Sequence, residues 1–125
     1  MWVNYNANPI NKRVGDYTVR AISKALNQSW EKTYIDIFLR GFMMYDMPSA
    51  NAVWGAYLKS RGFSRSAVID NGSDYYTVLD FCRDNTNGTY ILALSGHVIA
   101  VIDGDYYDTW DSGEEIPVYY WERRK

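Results

Sequence analysis

Along the first half of the chain, apolar residues recur at three- and four-residue spacing. Along the last third they crowd into short runs. Within residues 16–26, Val19, Ile22, Ala25 and Leu26 follow the helical period, and Asp16 stands where an N-cap belongs. Asn27-Gln28 breaks that helix. Ser29 can cap a second one, with Trp30, Tyr34, Ile37, Phe38 and Phe42 on one stripe and Gly41 near its end. Ser49, after Pro48, can cap a third that runs through Val53, Trp54, Tyr57 and Leu58 to a C-terminal stop at Gly62. Thr77 and Asp80 have capping-box spacing for a short fourth helix ending near Asn87-Gly88. Residues 1–14 read as irregular, with Asn8-Pro9 as a turn.

Beyond residue 88 the period changes to two. Segments 89–94, 97–102, 105–110 and 117–121 read as strands separated by glycine-bearing turns. Helices first and an antiparallel sheet after them predict an α+β fold. The strongest hairpin signal is Asp103-Gly104, because a type I′ turn needs positive φ at both central residues. With that two-residue turn, Ile102 faces Asp105, Val101 faces Tyr106 and Ala100 faces Tyr107. His97 then lies opposite Trp110. Period-two alternation gives His97, Ile99, Asp108 and Trp110 one face, with Asp108 diagonal to His97. A three-residue loop would bring in Asp111 as the partner instead of Asp108.

A carboxylate beside a histidine orients the ring and stabilises its protonated form. The plainer alternative is a half-buried histidine hydrogen-bonded for structure. His97 is the only histidine in the chain. Its Asp-x-Trp companion, Asp108-Thr109-Trp110, sharpens the case for a site.

Composition narrows the classes. At 125 residues with 47% hydrophobic content, the chain predicts one domain, 1–125, with a real core. The 12 Tyr and 5 Trp suit either a half-buried shell or a binding cleft. A net charge of −2 with no basic face argues against nucleic acid as partner. Cys82 is the sole cysteine, so no internal disulfide forms, which fits a reducing compartment. No apolar run approaches the roughly 20 residues of a membrane span, and residues 1–6 lack a signal peptide's regions. The expectation is a soluble, cytoplasmic protein without membrane contact, cofactor or metal. The oligomeric state is left open.

The order of these features resembles the papain superfamily of cysteine peptidases, which carry Cys, His and Asn or Asp in that chain order. Papain-type enzymes place Asn-Ser-Trp on the strand returning beside the histidine, and the Trp covers the Asn–His hydrogen bond. Asp108-Thr109-Trp110 is similar, with Asp for Asn, as in bacteriocin-processing and transglutaminase-like proteins. Asp16-Tyr17 resembles the Asp-Cys that opens the central helix of the bacteriocin-processing peptidases. Those enzymes carry an oxyanion-hole Gln six residues before the nucleophile, a place held here by Asn11. Segment 15–26 also resembles small phage and gut-bacterial proteins with Gly-Asp-Cys-x-x-Arg-Ala.

The resemblance implies a papain-like fold, with N-terminal helices packed on a C-terminal antiparallel sheet. It implies His97 as base, Asp108 as orienter, with Asp111 the alternative, and Trp110 as shield. It implies Tyr17 at the nucleophile position. A phenol has a reference pKa of about 10 against about 8.5 for a thiol, and its bulk fills the space of a scissile bond. The expectation is a catalytically silent domain that binds a peptide or protein. The alternative is membership of an active peptidase, amidase or acyltransferase family in which this chain has lost the nucleophile. Cys82 falls on the short fourth helix and reads as a small buried apolar residue. Asp16 and Arg20, four apart, read as an ion pair on the first turn.

Overall fold

The computed structural model describes residues 1–68 and 75–124. Its elements are β1 (Trp2–Asn4), α1 (Tyr17–Leu26), α2 (Trp30–Met43), α3 (Asn51–Ser60), β2 (Phe63–Ala67), α4 (Val78–Asp84), β3 (Thr89–Ala93), β4 (Val98–Ile102), β5 (Asp105–Asp108) and β6 (Tyr119–Arg123). The fold is α+β, and the six strands form one mixed sheet in the order β1-β5-β4-β3-β6-β2. The expected all-antiparallel sheet is corrected at one edge, where β1 runs parallel to β5.

The central strands are buried on both faces, which explains their nearly unbroken apolar runs. Ile91, Ala93, Val98 and Ala100 face α1–α3 and pack with Ile22, Leu58 and their neighbours. Leu92, Ile99, Val101 and Tyr106 point the other way, onto Val78, Phe81 and Cys82 of α4. Each fully buried Ile, Leu or Val contributes about 1.5–3 kcal/mol relative to exposure. Alternate residues of the same strands thus serve two cores, one on each side of the sheet.

Asp103 and Gly104 both have positive φ, at 51° and 84°. The register is the one this turn dictates, with Ile102 opposite Asp105, Val101 opposite Tyr106 and Ala100 opposite Tyr107. Ser29 caps α2 by accepting from the Lys32 N–H. Thr77 and Asp80 complete the expected capping box on α4.

Three local expectations are corrected. Asp16 stands at the start of α1 but makes no side-chain cap, because its carboxylate is taken by other partners. Ala50, not Ser49, is the N-cap residue of α3. The apolar stripe of α2 is split: Thr33, Ile37 and Gly41 are buried, whereas Tyr34, Phe38 and Phe42 are exposed. Thr33 can replace an apolar residue there because its hydroxyl is hydrogen-bonded by Ser23 of α1, at 2.9 Å.

Candidate functional site

Two elements far apart in sequence meet at the site. The first is the start of α1. The second is the end of the sheet formed by the β3–β4 turn and the last residue of β5. Leu94 N–H donates to the His97 carbonyl at 2.8 Å, which leaves Ser95 and Gly96 as the turn and sets His97 one residue before β4. Asp108 ends β5. Both side chains lie at the limit of the ladder, where alternation no longer binds them. Ile99 packs on the α4 side, yet His97 contacts Tyr17 of α1.

His97 Nε2 lies 2.7 Å from Asp108 Oδ2, and the two residues are 7% and 2% exposed. A carboxylate only accepts, so Nε2 donates and Nδ1 is left as the basic ring nitrogen. The same Oδ2 accepts from Ser112 Oγ at 2.8 Å, and Oδ1 accepts from the Thr109 N–H at 2.7 Å. Arg20 Nη2 stands 3.8 Å from Oδ1. Asp108 is thus a buried charge with three donors and a cation around it, the condition under which a buried carboxylate is tolerable. Even its backbone is held: the Asp108 carbonyl accepts from Trp2 Nε1 at 3.1 Å and from the Tyr5 N–H at 3.0 Å.

Arg20 carries the network into α1. Its Nη1 donates to Asp16 Oδ1 at 2.8 Å, and Trp30 Nε1 donates to Asp16 Oδ2 at 2.8 Å. Hydrogen bonds link Trp30 of α2 to Asp16 and Asp16 to Arg20, an ion pair at 3.8 Å continues to Asp108, and a hydrogen bond joins Asp108 to His97. Tyr17, the first residue of α1, presents its ring edge-on to His97 with centroids 6.2 Å apart, and is 37% exposed. Trp110 covers the imidazole from another side, with ring centroids 4.5 Å apart.

The two aspartates go to different partners. Asp108 holds His97. Asp111 accepts from the Tyr106 hydroxyl and from the Gly113 N–H, the latter at 3.0 Å. The Tyr106 hydrogen bond pulls the Asp111 carboxyl below its usual range, and burial pushes the Tyr106 phenol above its own. Asn11 lies in the exposed loop before α1, with φ 54°, and its side-chain oxygen accepts from Asn6 Nδ2 at 3.3 Å. Cys82 lies on α4 in the other core, where burial pushes its thiol up to about 11.

Sequence reading named Tyr17, His97, Asp108 and Trp110, and the structure brings these four together. It missed Ser112, Trp2 and the reach of Arg20. The Asp16–Arg20 pair was visible from its spacing, but its burial depends on strands that only tertiary structure places there. Among the described residues no cluster of His, Cys, Asp and Glu could hold a metal, and no helix is long and apolar enough to cross a membrane.

Three hollows meet at Tyr17. One of about 350 Å³ lies between α1 and α2 and is lined mainly by apolar side chains. A second, of about 400 Å³, runs past His97, Ser49 and Asn51. A third, of about 450 Å³, lies between Arg13 and Trp110. Compared with protein-family models, with curated proteins and with solved structures, the chain matches none.

Proposed function

We propose that the chain is a papain-like pseudopeptidase, a binding module that holds a peptide or protein segment in the cleft at Tyr17 without cutting it. The observation that carries this reading is the placement of Tyr17, edge-on to a His97 that is hydrogen-bonded to Asp108 and covered by Trp110. A helix N-terminus, an imidazole and its orienting carboxylate are the surroundings that activate a thiol in acyl transfer. The phenol in their midst is weakly nucleophilic and fills the approach. The papain-like assignment of the fold belongs to the same proposal, supported by the order of the α1 helix, the His97 strand and the Asp108 strand.

A second reading has one observation in its favour, the intact His97–Asp108 pair. On that reading the chain belongs to an active peptidase, amidase or acyltransferase family and has lost only its nucleophile.

Tyr17→Cys in a Cys82→Ala background tests the frame. The introduced thiol is expected to alkylate rapidly with iodoacetamide at pH 6, while the unmodified chain shows no turnover of peptide substrates. Labelling that rises only near pH 8.5, as for an ordinary thiol, would mean that His97 is a structural histidine. Peptide turnover by the unmodified chain would reject the pseudopeptidase reading outright.

A further inference from the structure

The hollow between α1 and α2 has a wall that is already rigid. Trp30 is fixed through its indole N–H to the buried Asp16 and stacks on Tyr34, with ring centroids 5.1 Å apart. Val14, Ile37, Phe38 and Pro48 complete an apolar lining, and Tyr17 stands between this hollow and His97. Asp16 is the one charged group in the lining, and both its oxygens are already occupied. The hollow therefore suits a neutral apolar group, and at about 350 Å³ it is at the small end of ligand pockets.

The neighbouring hollow differs in charge. It shares Val14, Gly15 and Tyr17 with the first and contains two cations, Arg13 and Arg20. Arg20 is committed to Asp16 and Asp108. Arg13 is exposed, and among the described residues no carboxylate pairs with it. No acidic side chain lines this second hollow. An apolar slot and an unmatched cation therefore lie on either side of one shared wall, three residues long in its main part.

We infer that the cleft recognises a peptide bearing a large apolar side chain, seated between α1 and α2, with a carboxylate adjacent to it that pairs with Arg13. The inference rests on the reading of the Tyr17 cleft as a peptide site and specifies its ligand. The carboxylate has two possible sources, the C-terminus of the peptide or an acidic neighbouring residue. The chemistry at Arg13 is the same for both. Preorganised aromatic walls lower the ordering cost of binding, and the ion pair, exposed to solvent, adds selectivity more than affinity.

Three probes separate the contributions: N-acetyl-phenylalanine with a free carboxylate, its neutral amide, and N-acetyl-aspartyl-phenylalanine amide. Binding is read from amide and indole shifts in ¹H–¹⁵N spectra of the intact chain. At least one of the two acids is expected to bind about 3- to 5-fold tighter than the neutral amide at low salt, and which one does so identifies the source of the carboxylate. All three should move the Trp30 indole and the backbone of Thr18 and Val19. Arg13→Gln should abolish the preference for an acid and leave the neutral amide unaffected. Phe38→Ala, at a half-exposed wall, should weaken all three about 10-fold. Val14→Trp, which fills the hollow from its rim, should do the same without removing a wall.

Equal binding of acids and amide by the unmodified chain would overturn the inference, as would a preference that survives Arg13→Gln. Shifts confined to the exposed 42–47 segment, or no binding at all, would overturn it too. Failure of the underlying reading looks different: the probes would bind as expected while the Tyr17→Cys thiol stays unreactive at pH 6.

Discussion

The two sides of the sheet hold opposite halves of what thiol chemistry requires. On the α4 side lies Cys82, the chain's only cysteine, 5% exposed among Phe81, Tyr90 and Tyr106. Burial there pushes the thiol up to about 11, so at neutral pH it is a small apolar filler. On the α1 side lie a helix start, an imidazole and a buried carboxylate, and the residue among them is a tyrosine. The difference teaches that surroundings make a nucleophile as much as sulfur does. One side has the atom without the field, and the other has the field without the atom.

The sharpest way to break this comparison is to move the thiol. Cys82 in the unmodified chain and the thiol of Tyr17→Cys in a Cys82→Ala background should differ in iodoacetamide labelling at pH 7 by roughly 1,000-fold or more. Mass spectrometry of timed samples measures the ratio. A ratio near one would mean that the α1 side provides no activation.

Next in size is the carboxylate that holds the α1 side together. Asp108→Ala removes the partner of His97 and Ser112 and leaves Arg20 with one carboxylate instead of two. Breaking a buried network in this way costs about 3–5 kcal/mol, read as a lower urea midpoint. Asp111→Ala, at an exposed residue only three positions on, takes the acceptor from the Tyr106 hydroxyl and the Gly113 N–H and should cost far less. Similar losses at both would show that the aspartates share the work.

The α4 side has its own pH signature. The folded-state pKa of Cys82 is raised from 9.0 to about 11, so the folded chain keeps a proton that the unfolded chain releases. Stability from this group is fully present below pH 9 and is lost as pH rises through 11. Between those values the unmodified chain should lose about 2 kcal/mol more than Cys82→Ala. Parallel pH profiles of urea unfolding for the two chains isolate the cysteine from the titrating tyrosines. The smallest effect is local: Thr77→Ala removes the cap of α4 and should cost about 1 kcal/mol, without altering thiol labelling at position 17.

What the sequence revealed follows the range of each interaction. The Asp103-Gly104 turn fixed a register over a few residues, but the face expected to be common to His97 and Ile99 is not kept, and Asp108 meets His97 because both stand where the ladder ends. The caps at Ser29 and Thr77 are equally local. β1 escaped notice because three residues carry no period, and its partner lies more than a hundred residues away. β2 escaped because it is an edge strand with only Phe63 buried, so Ser64-Arg65-Ser66 shows no apolar alternation. The α2 stripe misled because helical spacing marks apolar positions without saying which of two adjacent arcs the core will take. The Asp16–Arg20 pair was legible from its spacing, but its depth was not, because the second carboxylate that draws Arg20 inward arrives only with β5.

The pairing of β1 with β5 also sets a schedule. Trp2, Val3 and Asn4 align with Tyr106, Tyr107 and Asp108, so during synthesis these early residues wait for partners made about a hundred residues later, roughly 5 to 20 s at ordinary elongation rates. The donors at Trp2 and Tyr5 that hold the Asp108 backbone are idle until then, and Arg20 has only Asp16. The helices can form as they emerge, but the cleft at Tyr17 has no far wall until the His97 turn and the Asp108 strand close over it. A ligand held against His97 and Trp110 therefore meets a finished site or none, whereas the apolar hollow between α1 and α2, lined by residues 14–49 alone, takes none of its lining from the later strands.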